Sequence, residues 1–384
     1  MTVLDPLAPQ GAPLTAARPY DRLAVIGAGA WGTALAITAA RSGRQVALWT
    51  RRPEHAQAMR DSRRNLDYLP EGAVLPESLH PTADMAEALR GAEAVLLVVP
   101  SAAVAETAAL MAPHLAAGVP VALGAKGIEP GTGLLMTDVA ARALPGRPMA
   151  CVSGPNFADQ TALGHPTAAT VASDCGARFR TAPERTVAVR LAVSLGTPSF
   201  RPYVSDDLTG VEIGGAIKNV IAVACGIASG AGFGENTRAA LATRGLAEMK
   251  RLSEARGGRR ETVTGRAGVG DLMLTCFSDH SRNLRLGLQL GAGVPRADCF
   301  DGKPVVVEGE GAAISVTDLA RLKGVHLPIC EAVRAILHEG LPIPDAFGRL
   351  WGGPLEGEPK ALDLLLGHPS AQGAVGTHYR KVLA

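Results

Sequence analysis

The segment Gly27-Ala28-Gly29-Ala30-Trp31-Gly32 constrains this chain more than any other feature, because of what stands on either side of it. Before it, Arg22–Ile26 (RLAVI) is a short apolar run with strand character. After it, Thr33–Arg41 is a helix-like run rich in Ala, Leu and Ile, and Gln45–Trp49 (QVALW) is a second strand. Strand, glycine turn, helix and strand within about 30 residues make a βαβ unit. In that setting Gly27 allows the tight turn, Gly29 lets the backbone approach a pyrophosphate, and Gly32 permits close helix–strand packing. The helix N-terminus then faces the anion. A glycine-rich turn alone is a weak signal; this context turns it into an expectation of dinucleotide binding.

The alternation continues down the chain. Ala94–Val99 ends at Pro100, Val119–Gly124 ends before Lys126, and Met149–Ser153 ends at Gly154. These apolar runs lack a polar alternation of period two, which suits strands covered on both faces and therefore a parallel, doubly wound sheet. Ligands bind such sheets off the carboxyl ends of the strands, where Gly27, Arg51, Pro100, Lys126 and Gly154 fall. Past Asp207 the pattern changes. Val211–Ala231 is too long for a strand and rich in small residues, and helices are expected at Thr237–Leu252, Arg282–Leu290, Ala312–Lys323 and Ile329–His338. The expected fold is α/β, an N-terminal Rossmann-type, doubly wound, mostly parallel sheet over residues 21–207 with a second, mainly α-helical domain over 208–345. A flexible tail (1–20) and a C-terminal extension (346–384) flank them.

At 384 residues the length agrees with two domains. With 38 Lys and Arg against 36 Asp and Glu the formal charge is +2, too balanced for a protein whose main partner is nucleic acid. Glycine supplies 45 residues, about 12% against the usual ~7%, while aromatics make up only 4%, so small residues must do much of the packing. The six cysteines include no CxxC and the nine histidines no paired spacing, so no metal is expected and the compartment is read as reducing. The first 20 residues lack a signal-peptide pattern, and no uncharged apolar run reaches ~18 residues. A cytoplasmic protein without an integral membrane segment is expected.

Two further regions carry chemistry. After the second strand comes Thr50-Arg51-Arg52 rather than the acid that would hold the 2′-hydroxyl of NAD. Guanidinium groups at Arg51 and Arg52 suit a 2′-phosphate, so NADP is favoured, with NAD as the alternative; a solvated charge pair is the plainer reading. Lys218 lies in VEIGGAIKNVIAVACG among small and apolar neighbours, where an ammonium is costly unless paired or lowered in pKa. It is either a general acid or base or a side chain whose stem snorkels to the surface. Asp271, delivered by the glycine-rich GRAGVGD, would be its partner, and Ser281-Arg282-Asn283 forms a polar cradle for an anion at a helix start. Ser281 also reads as an ordinary N-cap.

With these residues in place, GAGAWGTALA, GAKGIEPGTG, SGPNFA, GVEIGGAIKNVIAVACGI, RAGVGDLMLTCFSDHSRN and VVEGEGAA, in that order, resemble bacterial NAD(P)-dependent glycerol-3-phosphate dehydrogenase over about residues 21–345. The resemblance implies reversible reduction of dihydroxyacetone phosphate, a small-molecule substrate, to sn-glycerol 3-phosphate for glycerophospholipid synthesis. Small residues such as Gly214, Gly215, Ala216, Ala222 and Gly226 suit helices packed closely within one chain or across a dimer, and a homodimer is the expectation. The resemblance gives catalytic roles to Lys218, Lys126 and Asp271. It implies cofactor contacts at Gly27, Gly29, Ala30, Trp31, Gly32, Arg51, Lys126, Ala158, Arg282, Val306 and Glu308; Arg52, expected at the cofactor from its guanidinium, stands where the family often has an acid. Substrate contacts are implied at Lys126, Gly154, Asn156, Lys218, Asp271, Ser281, Arg282 and Asn283.

The sequence departs from the resembled pattern at Asn156, where Thr or Ser is common, and at Asn65–Pro70 (NLDYLP), which lacks the usual basic residue after the asparagine. Glu310-Gly311 replaces a bulkier pair. Two other readings stay open on the sequence: a related two-domain dehydrogenase acting on another phosphorylated or hydroxy-acid substrate, and a non-catalytic NADP sensor.

Overall fold

The structure, a computed structural model, describes residues 16–357, 364–370, 374–375 and 377–379. The first 15 residues of the expected N-terminal tail and parts of the C-terminal extension lie outside the described residues. Tyr20, at the end of that tail, is packed: its ring is buried under the Arg190 guanidinium and its N–H donates to Ser194 Oγ at 2.8 Å.

The first half alternates strands and helices: β1 (Arg22–Ile26), α1 (Ala30–Arg41), β2 (Gln45–Trp49), α2 (Pro53–Ser62), β3 (Leu79–Thr82), α3 (Met85–Leu89), β4 (Ala94–Leu97) and α4 (Val104–Met111). It continues with β5 (Val121–Leu123), α5 (Met136–Ala143), β6 (Met149–Ser153), α6 (Ala158–Leu163), β7 (Thr167–Ser173), α7 (Arg178–Thr181), α8 (Val187–Leu195) and β8 (Phe200–Ser205). The eight strands form one sheet in the order β3-β2-β1-β4-β5-β6-β7-β8. Only the β6–β7 pair runs antiparallel, with Cys151 opposite Ala172. The order reverses between β1 and β4, the switch point at which such sheets open a binding crevice. One apolar cluster covers each face, built around Leu23, Val25 and Leu48 on one side and Ile26, Leu97 and Leu123 on the other.

The second half is helical: α9 (Leu208–Gly230), α10 (Glu235–Ala255), α11 (Arg260–Val263), α12 (Asp271–Phe277), α13 (Arg282–Gly291), α14 (Glu308–Leu322), α15 (Pro328–His338) and α16 (Ile343–Trp351), followed by the short pair β9 (Leu355–Glu356) and β10 (Leu365–Leu366). By length and composition α9 is apolar enough to cross a bilayer, yet its residues from Gly210 to Ala228 are buried inside the protein. The other helices pack round it. Small residues make this work. A Cβ on Gly226 or Gly230 would collide with the carbonyl of Leu284 or Leu288, and one on Gly287 or Gly291 with that of Val223 or Ile227. Two glycine pairs at four-residue spacing thus bring α9 and α13 into backbone contact.

The two halves are joined by a buried carboxyl. Leu135, preceding α5, has no side-chain oxygen to cap the helix, and Glu212 of α9 supplies one instead. Its Oε1 accepts from Thr137 N–H at 3.0 Å and its Oε2 from Thr137 Oγ1 at 2.5 Å. Burial, opposed by those hydrogen bonds, pushes the Glu212 carboxyl up to about 7. Because the folded value lies above the unfolded one, this group's contribution to stability is fully present below about pH 4.5 and is lost as pH rises through about 7. Glu248, also pushed up by burial to about 7, adds to the same slope. Glu212→Gln keeps one acceptor and one donor for Thr137 and cannot ionise, so the fall in Tm between about pH 5 and 8 should be shallower than in the unaltered protein. Parallel Tm–pH curves for the two would show that Glu212 does not titrate in that window.

Candidate active site

Three elements meet at one carboxylate. Asp271 opens α12 directly after a single wide turn over Arg266–Gly270, closed by Gly270 N–H to Gly265 O at 3.2 Å. A Cβ on Gly268 would collide with Val263 O, so the glycines of this segment let the turn form against α11. Wide turns of this kind are frequent at functional sites. Lys126 Nζ, on the segment after β5, donates to Asp271 Oδ2 at 2.5 Å, and Lys218 Nζ, midway along α9, donates to Oδ1 at 2.8 Å. Lys218 also donates to Thr275 Oγ1 at 2.8 Å; that hydroxyl donates in turn to Asp271 O at 2.6 Å. Asp271 and Lys218 are buried and Lys126 is mostly so.

The charges set one another. Burial works against ionisation of Asp271, but the Lys126 and Lys218 ammonium groups outweigh it and hold the carboxyl below its ordinary range. Burial pulls the Lys218 ammonium below the ordinary lysine value, against the opposing pull of Asp271. Two of the three Lys218 N–H groups are occupied, by Asp271 and Thr275, which leaves one to point elsewhere. Ser153, at the end of β6, has a buried hydroxyl with no partner among the described residues. A Cβ on Gly215 would stand 3.2 Å from Ser153 Oγ and 3.3 Å from Lys126 Cγ, so glycine is what lets α9 approach both.

The glycine turn lies at the carboxyl end of β1 and fits a dinucleotide. Gly27 has φ +117°, and a Cβ there would collide with Val98 O; a Cβ on Gly32 would collide with Gly27 O. Beside Gly29, by contrast, a Cβ would meet nothing within 4 Å. No side chain caps α1 at Gly29 and its first turn holds no acid, so the N-terminal N–H groups are left for an anion. Trp31 Nε1 is buried without a partner in a wall shared with Gly124 and Val98.

Family comparisons fit this geometry. Residues 22–178 match the model described as NAD-dependent glycerol-3-phosphate dehydrogenase N-terminus, and residues 207–348 the corresponding C-terminus. A Rhodospirillum rubrum protein named glycerol-3-phosphate dehydrogenase [NAD(P)+] is 46% identical over 354 residues, covering 92% of this chain and 98% of its own. The chain belongs to the NAD-dependent glycerol-3-phosphate dehydrogenase family. A glycerol-3-phosphate dehydrogenase structure from Coxiella burnetii aligns at a TM-score of 0.78 with 40% identity, covering 86% of this chain and 99% of the other. One from Saccharomyces cerevisiae aligns at 0.75 with 26% identity, covering 86% and 98%. The oxidoreductase class and the use of NAD or NADP follow from this membership.

Within the family frame, the sequence-expected residues divide. Lys126, Lys218 and Asp271 are brought into direct contact. Gly154 begins the segment after β6, where a Cβ would come within 3.0 Å of Ala168 O. Asn156 uses its amide N–H groups on Thr167 Oγ1 (2.7 Å) and Ala168 O (3.0 Å), so only Oδ1, buried and unpartnered, is left. The Ser281 hydroxyl accepts from Leu284 N–H and caps α13, and Arg282 is exposed without a hydrogen-bond or ion-pair partner among the described residues. Asn283 has both ends of its amide engaged: it donates to Asn219 Oδ1 at 2.9 Å and accepts from Gly309 N–H at 2.8 Å. Asn219 in turn donates to Glu308 Oε2 at 2.9 Å, so this chain ties α9, α13 and α14 together. Ala158 opens α6 and Val306 is exposed before α14. Arg52 pairs with Asp67 at 2.9 Å, whereas Arg51 is exposed with no partner among the described residues. Thr275 and Ser153 were not singled out by the sequence, and Gly215 only as a small residue suited to close helix packing; the signal for Thr275 was its place one helical turn after Asp271.

Asp271→Asn keeps the shape and leaves two ammonium groups facing a neutral amide. Removing one partner of a buried charge cluster costs about 3–5 kcal/mol, so Tm should drop clearly and turnover by about a hundredfold or more. Unchanged Tm and kcat would show that the carboxylate does not hold the two lysines.

Proposed function

We propose that the chain reduces dihydroxyacetone phosphate reversibly to sn-glycerol 3-phosphate, a precursor for glycerophospholipid synthesis. The carrying observation is the Lys126–Asp271–Lys218 cluster: a buried carboxylate shared by two lysines, each of which keeps N–H groups without a partner among the described residues, one on Lys218 and two on Lys126. A nicotinamide cofactor held at the glycine turn supplies the hydride for the carbonyl carbon. Lys218 gives its third proton to the carbonyl oxygen, with Asp271 and Thr275 fixing the direction of that N–H. Lys126, anchored on the other oxygen of Asp271, and Ser153 border the space where the carbonyl would lie. Arg282, at the start of α13, has the free guanidinium that suits the substrate phosphate, while Asn283 acts through Asn219 and Gly309 as a strut. Asn156 Oδ1 is an acceptor for a substrate hydroxyl, not a donor to phosphate. The division into a cofactor domain over 21–207 and a catalytic helical domain from 208, whose expected end at 345 is overrun by α16, together with a cytoplasmic location and a homodimer, belongs to the same proposal.

Because burial lowers the Lys218 ammonium, the rate of reduction should fall with rising pH before the ordinary lysine value of about 10.4 is reached, while oxidation of glycerol 3-phosphate rises over the same range. Lys218→Ala should lower kcat by about a hundredfold or more with little change in cofactor affinity, and abolish that limb. Near-normal turnover in the variant would overturn the assignment.

The 2′-phosphate of NADPH suits Arg51, since Arg52 is already paired with Asp67. Arg51→Ala should raise KM for NADPH about tenfold and leave KM for NADH within about twofold, with Arg52→Ala doing less. Equal losses with both cofactors would remove the NADP preference from Arg51.

A further inference from the structure

The NLDYLP segment resembles a family motif but contributes nothing to the cluster around Asp271, and its first residue lies under the glycine turn. Asn65 is buried almost completely. Its Nδ2 donates to Ala28 O at 3.0 Å and to Thr33 Oγ1 at 2.7 Å. Ala28 O can only accept, which fixes the orientation of the amide and turns Oδ1 toward His55 Nε2, 2.9 Å away. That nitrogen must therefore carry a hydrogen in either protonation state of the ring. On the far side His55 Nδ1 meets Thr50 Oγ1 at 3.1 Å, at the end of β2 directly before Arg51. His55, Thr50 and Thr33 are buried as well, so a closed line of polar side chains joins the end of β2 to the turn after β1.

The geometry points to Asn65, braced by His55, as the positioning residue that aims the dinucleotide turn. In a planar trans peptide the C=O and the following N–H point in opposite directions. Holding Ala28 C=O inward on Asn65 turns the Gly29 N–H outward, to the side where a Cβ on Gly29 would meet nothing. Gly29 N–H makes no hydrogen bond within the described residues. A turn preset in this way does not have to be ordered when a pyrophosphate binds, which lowers the entropic cost of binding. The device acts on the part of the cofactor common to NAD and NADP, unlike Arg51. The inference rests on the cofactor reading above.

Calorimetric titration of NADH and NADPH, without substrate, tests it. Asn65→Asp keeps size and still accepts from His55 but cannot, when ionised, donate to Ala28 O. It should raise both Kd values by about tenfold or more and to the same extent, with kcat at saturating cofactor and KM for dihydroxyacetone phosphate within about twofold. His55→Ala, which loosens the outer brace and also removes the ring that lies 3.9 Å from Asp67, should raise both Kd values equally by about threefold and serves if the first variant does not fold. A purely structural role would lower Tm and leave both Kd values unchanged, and that result in either folded variant overturns the inference. So does a loss confined to NADPH, which would place the effect at Arg51 and Arg52. Unaltered protein that binds neither dinucleotide would overturn the cofactor reading itself.

Discussion

The structure depends on how Asp271 is shared. Its two oxygens are held by lysines from different halves of the chain, Lys126 from the segment after the interior strand β5 and Lys218 from the central helix. A buried carboxylate with one ammonium would be neutral; with two it leaves one positive charge in a site with little water to screen it. Such an excess is a cost in the free protein and an attraction for a phosphorylated substrate. The same arrangement keeps Asp271 ionised while burial lowers the Lys218 ammonium, so the lysine can give and take a proton without the carboxylate competing for it.

That sharing requires α9 to run close to everything around it, and glycine makes the approach possible. Gly226 and Gly230 admit the backbone of α13, Gly215 admits Lys126 and Ser153, and Gly214 lies against the turn that delivers Asp271. The high glycine content thus has two uses in this fold. In the first half it shapes the dinucleotide turn, and in the second it lets helices approach until backbone meets backbone. The small-residue face of α9 at Gly226 and Gly230 is covered by α13 of the same chain.

Much of this was written locally in the sequence. The bounds of β1, β2 and β6 follow from short apolar runs ending at glycine or at a charged turn, and α9 from a run too long for a strand. The three strands of the large sheet that were not anticipated carry weaker patterns: β3 is four residues with an internal proline, β7 is largely Ala and Thr, and β8 is half exposed with a proline inside. Packing decided them, through pairing at the two edges of an existing sheet. Helix α16 was hidden by its flanking prolines and crosses residue 345, the expected end of the helical domain. At the site, lysines in unusual surroundings and a glycine turn ending in an acid announced themselves. Ser153 did not, and although Asn283 and Glu308 were expected at the site, their link through Asn219 was not, because both come from meeting residues far away in the chain.

Asn283 shows why a motif and a contact differ. Serine, arginine and asparagine stand side by side at the start of α13, and as a sequence they read as one cradle for an anion. Folding separates them: the hydroxyl accepts from Leu284 N–H to cap the helix, the amide is consumed by Asn219 and Gly309, and only the guanidinium faces outward without a partner. The same sorting applies to the turn after β2, where Arg52 is tied to Asp67 and Arg51 is not. Each motif therefore combines one group free to meet a ligand with neighbours that hold the backbone in place for it. A buried donor already satisfied inside the protein gains little by turning to a ligand, since it gives up one hydrogen bond to form another. The unpartnered Ser153 and Asn156 oxygens, the third N–H of Lys218 and the indole N–H of Trp31 are under no such restriction.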